Sequence, residues 1–97
     1  MVQVYYDIGN STHYGYDVPS ELRLLGNDRI CEVHVKDWQS KVFGRQEGEV
    51  DVAACAKALR EIGYDKWLVL ETSGREGMFE QDTRDNIAFV RLTFAVL

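Results

Sequence analysis

The sequence predicts an α/β fold: three short parallel strands alternating with three helices. Three observations carry that prediction. Runs of β-branched, aromatic and leucine residues recur at residues 2–7, 30–37 and 67–72, and such side chains suit a pleated, packed surface. Between and after these runs, apolar residues fall at helical spacing. Each run also ends in polar residues. Strand and helix in strict alternation give parallel strands joined by right-handed crossovers, so the three polar ends are expected along one edge of a sheet.

Residues 2–7 read as a strand with Val2, Val4 and Tyr6 on one face and Gln3, Tyr5 and Asp7 on the other, because side chains alternate along a strand. Residues 8–15, with Gly9, Asn10, Ser11 and Gly15, read as a loop. Asp17 or Val18 caps a short helix with Pro19 in its first turn, where a missing N–H costs nothing. Leu22 and Leu25 give that helix an apolar face, and Gly26 and Asn27 end it.

The second strand, residues 30–37, places Cys31, Val33 and Val35 on one face and Glu32, His34 and Lys36 on the other. Such a strand is either antiparallel with a wet face or parallel with its carboxyl end opening into a site, and the alternation of elements favours the second reading. Residues 38–49 form a connector with Gly44 and Gly48 as flexible points. Asp51 is a suitable N-cap for a helix whose buried face is Val52, Cys55, Ala56, Leu59 and Ile62, closed by Gly63. Residues 67–72 form the third strand and residues 73–78 a loop. Residues 82–96 form the last helix, with Ile87, Val90 and Phe94 as its apolar edge, widened by Phe89, Leu92 and Val96.

With 97 residues, the chain has room for one modest core. Its net charge of −5, without a run of Lys or Arg, argues against a nucleic-acid backbone as partner. The first residues show no n-region/h-region pattern and the sequence no long apolar run, and the apolar residues 89–97 are interrupted by Arg91. The expectation is a soluble cytoplasmic protein with no membrane partner. Cys31 and Cys55 form no CxxC pattern and no spacing rule pairs them. Both read as small buried hydrophobes in a reducing compartment.

Asp7, His34 and Glu71 stand at or next to the ends of the three strands. Each alone has an ordinary explanation: Asp favours turns, a strand His is commonly a hydrogen-bonded rim residue, and Glu stays solvated. Three such residues at one sheet edge make a candidate metal centre. Asp, His and Glu are a hard O/N set suited to Mn²⁺, Mg²⁺, Co²⁺ or Zn²⁺. Lys36 and Asp37 lie beside this edge, either to bind a hydroxyl or phosphate or as ordinary loop charges. His13 reads as a surface residue.

Four stretches carry a family resemblance: Tyr6-Asp7-Ile8-Gly9-Asn10, His34-Val35-Lys36-Asp37, Gly48-Glu49-Val50-Asp51, and residues 63–71 from Gly63 to Glu71. The chain resembles the sugar phosphate isomerase/epimerase family, the xylose isomerase-like TIM-barrel group that also includes the endonuclease IV type of repair enzyme. The resemblance runs over residues 2–91. It implies a fold that is the parallel βαβαβα fragment of a TIM (β/α)8 barrel, with residues 1–97 as the C-terminal portion of the barrel domain.

In that family an Asp, a His and a Glu at the ends of the sixth, seventh and eighth strands hold a divalent metal. The resemblance carries these roles to Asp7, His34 and Glu71. The family's fourth ligand, a fifth-strand Glu, precedes the region this chain resembles. The implied chemistry is isomerisation or epimerisation of a sugar or sugar phosphate, by proton transfer next to a carbonyl through an enediolate. Glu71 matches one of the two catalytic carboxylates, and Asn10 matches a position that contacts substrate; Lys36 and Asp37 are the further substrate-binding candidates. The repair-nuclease reading fits less well, since it needs more metal ligands and a basic surface.

Three strands do not close an eight-strand barrel, and two or three copies give six or nine. The expectation is therefore an incomplete site with little or no turnover in the isolated chain. The missing units would come from a partner chain, or be absent because the gene product is truncated. The alternative is a non-catalytic interaction module that uses its open sheet edges to bind a partner or itself.

Overall fold

The computed structural model describes residues 2–38, 40–43 and 48–95. In chain order the elements are β1 (Val4–Asp7), α1 (Ile8–His13), α2 (Val18–Leu25), a 3₁₀ turn (Asn27–Arg29), β2 (Ile30–Val35), α3 (Val52–Glu61), β3 (Trp67–Leu70) and α4 (Phe79–Thr93). The sheet order is β1-β2-β3, and both pairings are parallel. Asp7 stands opposite His34 across β1 and β2, and His34 opposite Val69 across β2 and β3. The predicted parallel α/β arrangement is thus present, with all three strand ends on one edge. Gly44 and Val96 lie outside the described residues.

The caps follow the sequence. The Asp17 carboxylate accepts the Ser20 N–H at 3.2 Å and that of Asp51 accepts the Ala54 N–H at 3.0 Å, filling donors that a helix start leaves unpaired. Gly26 ends α2 at a φ of +73°, a conformation that favours glycine.

One departure bears on the site. Residues 8–13, expected as loop from their Gly, Asn and Ser content, form α1. Asp7 caps this helix by accepting the Asn10 N–H at 2.8 Å, and the Thr12 hydroxyl donates to the Ile8 carbonyl at 2.7 Å. Ile8 is fully buried, so a good cap and one apolar anchor outweigh weak helix propensity. Gly9 is buried for a steric reason. A Cβ there would stand 2.5 Å from the Lys36 Cγ and 2.9 Å from the Lys36 carbonyl oxygen. The bare glycine lets α1 lie directly against the end of β2.

Val33 and Val35 of β2 join Ile8, Leu22, Ile30, Cys55, Ala56 and Leu59 in a single apolar cluster. Burying a Val, Leu or Ile side chain in such a cluster is worth about 1.5–3 kcal/mol. Cys55 lies within it, whereas Cys31 is only half-buried, its thiol donating to the Val4 carbonyl at 3.3 Å; both thiols are free. The opposite face of the sheet carries Tyr5, Glu32 and His34, which are exposed or half-buried.

The last helix departs from its predicted apolar edge. It begins at Phe79 rather than Asp82, and Ile87 is exposed while Phe94 is buried. Its fully buried residues are instead Asp82 and Asn86. Asp82 accepts the Arg75 backbone N–H at 2.7 Å and takes the Arg75 guanidinium on both oxygens. The Asn86 amide oxygen accepts the Phe43 N–H and its amide nitrogen donates to the Lys41 carbonyl, each at 2.9 Å. Polar groups tolerate burial when their hydrogen bonds are filled, and here the bonds reach the loops that follow β2 and β3. Ile87 and Val90 line a cavity of about 480 Å³ with Leu68, Leu70 and Phe94 along the open side of β3. No helix among the described residues is long and apolar enough to cross a membrane.

Two measurements test this packing. Gly9→Ala must push Lys36 and the β2 end away, so a loss of about 1–3 kcal/mol is expected, read as a lower urea midpoint at unchanged m-value. Burial, followed by the nearby Asp51 charge, pushes the Cys55 thiol up to about 12. The reactive species is the thiolate, so iodoacetamide in mildly alkaline buffer is expected to leave Cys55 unmodified until urea unfolds the chain. Intact and peptide mass spectra report the difference.

Candidate metal centre

Asp7, His34 and Glu71 meet because of strand register. Asp7 is the last residue of β1 and His34 the next-to-last of β2. Glu71 follows β3 directly, and its N–H donates to the Val35 carbonyl at 3.0 Å, which extends the ladder by one step. One ligand atom from each of the three side chains lies within 4.8 Å of the others. Asp7 serves two neighbours at once. Its Oδ1 caps α1, while its Oδ2 stands 3.3 Å from the Lys36 Nζ.

His34 lies between two carboxylates. Its Nδ1 is 3.1 Å from the Glu71 Oε2 and its Nε2 is 2.8 Å from the Glu32 Oε1. The Tyr5 ring stacks on the imidazole with centroids 5.0 Å apart and planes 23° from parallel. The hydrogen bond that Glu32 accepts is the chief reason that the His34 pKa is raised; burial opposes it and Glu71 adds to it. Lys36 completes the cluster, with its Nζ 3.7 Å from the Glu71 Oε2. Its ammonium offsets part of the negative charge of Asp7 and Glu71.

An imidazole nitrogen and two carboxylate oxygens on one edge fit a hard or borderline divalent cation. The backbone fixes Asp7 and His34, and the half-exposed Glu71 side chain is free to adjust around an ion. The donor chemistry and the convergence therefore both suit the group that the sequence implied.

The remaining sequence candidates stand around this cluster. The Asn10 side-chain oxygen is buried with no hydrogen-bond partner among the described residues, which leaves an acceptor available beside Asp7. Asp37 lies just beyond β2, and its Oδ1 accepts the Glu49 N–H at 3.0 Å, tying the end of the connector to the site. Lys36, Asp37, Lys41, Glu71 and Thr72 line one cleft at the strand ends.

Three contacts were missed from sequence. Glu32 was placed on the polar face without a role, although the two-residue step from Glu32 to His34 already put them on one face. Tyr5 reaches His34 only through the pairing of Tyr5 with Glu32, which needs the register. His13 is at the surface as expected, but its ring stacks on Trp38 with centroids 4.0 Å apart, and its Nδ1 lies 3.0 Å from the Glu49 Oε1. No local spacing announces that contact.

The sequence model of the xylose isomerase-like TIM barrel family matches residues 1–93. A putative L-ribulose-5-phosphate 3-epimerase, SgbU, of Escherichia coli K12 is 37% identical over 78 residues, covering 70% of this chain and 27% of that protein. The L-ribulose-5-phosphate 3-epimerase UlaE of E. coli ATCC 8739 is 43% identical over 65 residues, covering 64% of this chain and 22% of that protein. The UlaE protein of Salmonella paratyphi A is 42% identical over a stretch of the same length. The chain thus spans about a quarter of the length of the curated relatives it matches. Parallel strand order, converging strand ends and a match over nearly the whole sequence agree: the chain belongs to the xylose isomerase-like TIM-barrel family.

Proposed function

We propose that this chain is the C-terminal, metal-holding portion of a sugar phosphate isomerase or epimerase barrel. The observation that carries this reading is the convergence of Asp7, His34 and Glu71, with ligand atoms within 4.8 Å of one another. Relatives named as L-ribulose-5-phosphate 3-epimerases support a phosphorylated ketose as the substrate class. Two free thiols suit a reducing, cytoplasmic setting.

Asp7, His34 and Glu71 would hold a divalent ion, Mn²⁺, Mg²⁺, Co²⁺ or Zn²⁺. When bound, such an ion polarises a carbonyl and its neighbouring hydroxyl. The chain's own residues supply the rest. The Glu71 carboxylate takes a proton from the carbon next to the carbonyl, or returns it. A second carboxylate from the remainder of the barrel works on the opposite side of the sugar. The Asn10 amide oxygen accepts a hydrogen bond from a substrate hydroxyl. The Lys36 ammonium, beside Asp7 and Glu71, stabilises negative charge on the reacting oxygen or on the phosphate. Asp37 holds the cleft edge and meets a further hydroxyl.

The His34 ligand role is tested by loading wild type and His34→Ala with Mn²⁺ and measuring bound metal after gel filtration. Wild type is expected to retain about one ion per chain and the variant at least roughly tenfold less. Equal retention would remove the metal reading.

A second observation bears on partners. β1 and β3 are the terminal strands of the sheet, and Trp67 and Val4 on them are exposed. In a barrel every such edge is paired. We place further barrel units against both edges, whether from a longer chain or a second one; a non-catalytic role would use the same edges. Sedimentation of the purified 97-residue chain is expected to show association, and a strict soluble monomer over a wide concentration range would contradict edge pairing.

A further inference from the structure

We propose that Glu32 is a positioning residue for the metal centre: it fixes the His34 imidazole so that Nδ1 presents its lone pair to Asp7 and Glu71. The inference rests on the metal reading given above and concerns a residue which that reading leaves without a role.

A neutral imidazole carries its proton on one nitrogen and a lone pair on the other, and the hydrogen bond made by one decides which. Glu32 Oε1 stands 2.8 Å from Nε2, on the side of the ring away from Glu71, whose Oε2 faces Nδ1 at 3.1 Å. A carboxylate only accepts, so Glu32 and Glu71 both draw a ring proton, and the shorter Glu32 contact favours Nε2–H. On the other side, a cation can replace the proton that Nδ1 would otherwise share with Glu71. Glu32 is not a ligand in this arrangement. The two ring nitrogens point in different directions, and the converging group is Asp7, His34 and Glu71.

Two backbone facts make the hold firm. Glu32 and His34 are two residues apart on β2, so their side chains leave the same face of the sheet. Tyr5 is paired with Glu32 across β1 and β2, and its ring stacks on the imidazole at 5.0 Å. Glu32 therefore fixes the ring by its edge and Tyr5 by its face. Carboxylates that accept the second N–H of a ligating histidine raise its basicity and orient it, and their loss typically weakens metal binding 10–100-fold.

The test compares wild type, Glu32→Ala and Glu32→Gln by calorimetric Zn²⁺ titration. Long-range ¹H–¹⁵N spectra of His34 in the metal-free chain, with the ring neutral, report the tautomer. Glu32→Ala is expected to weaken Zn²⁺ binding about 10–100-fold and to shift the tautomer balance from Nε2–H toward Nδ1–H, from which Glu71 still accepts. Glu32→Gln keeps an oxygen that accepts from Nε2–H, so it is expected to restore most of the affinity and the preference for Nε2–H. A purely structural ion pair would not move the tautomer. The inference is overturned if Glu32→Ala, or Glu32→Gln where the alanine variant does not fold, binds Zn²⁺ within about twofold of wild type with the wild-type tautomer population. A wild-type chain that takes up no Zn²⁺ yet shows the Glu32-dependent tautomer would overturn the metal reading while supporting the hold of Glu32 on the ring.

Discussion

The parallel pairing of β2 between β1 and β3 is the constraint on which the other features depend. Pairing in this sense brings the carboxyl ends of all three strands to one edge, and the register sets Asp7 beside His34. A slip of one residue in β2 would exchange its faces. Val33 and Val35 would leave the core and His34 would enter it. The apolar cluster that stabilises the sheet is thus also what holds the site in register, so packing and chemistry share one physical cause.

The polar edge shows the opposite balance. Three carboxylates, an imidazole and an ammonium stand within short reach of one another, at Asp7, Glu32, Glu71, His34 and Lys36. In half-buried ion pairs of this kind desolvation offsets much of the attraction, and the pKa of His34 is raised by its carboxylate neighbours. Charges gathered where they stabilise little mark a candidate site. The core on the other face of the sheet carries the energetic burden of folding.

Much of the fold could be read from sequence, and the reasons are local. Asp17 and Asp51 marked helix starts because a cap is a contact between near neighbours, and strand periodicity placed Glu32 and His34 on one face. The convergence of Asp7, His34 and Glu71 followed from topology alone. What escaped was what depends on distant partners. Residues 8–13 looked like a loop because their composition says nothing of the burial of Ile8. Asp82 and Asn86 had no role in the sequence reading, yet both are fully buried, since their partners, Arg75, Lys41 and Phe43, lie in loops whose course no periodicity gives. Ile87 was assigned to the apolar edge of the last helix, and beside β3 it borders an open cavity. The Tyr5 contact with His34 needed the strand register.

The two buried polar residues of α4 have a mechanical consequence. Asp82 grips the loop after β3 and Asn86 grips the loop after β2, and they stand one helical turn apart on one rigid rod. The two loops are therefore referenced to a common frame instead of to each other. Side chains along the rim can be exchanged without resetting the spacing between its two sides, while a small rotation of the rod would shift both sides of the cleft together. The side-chain chemistry of the rim and the width of the cleft are thereby set by different parts of the molecule.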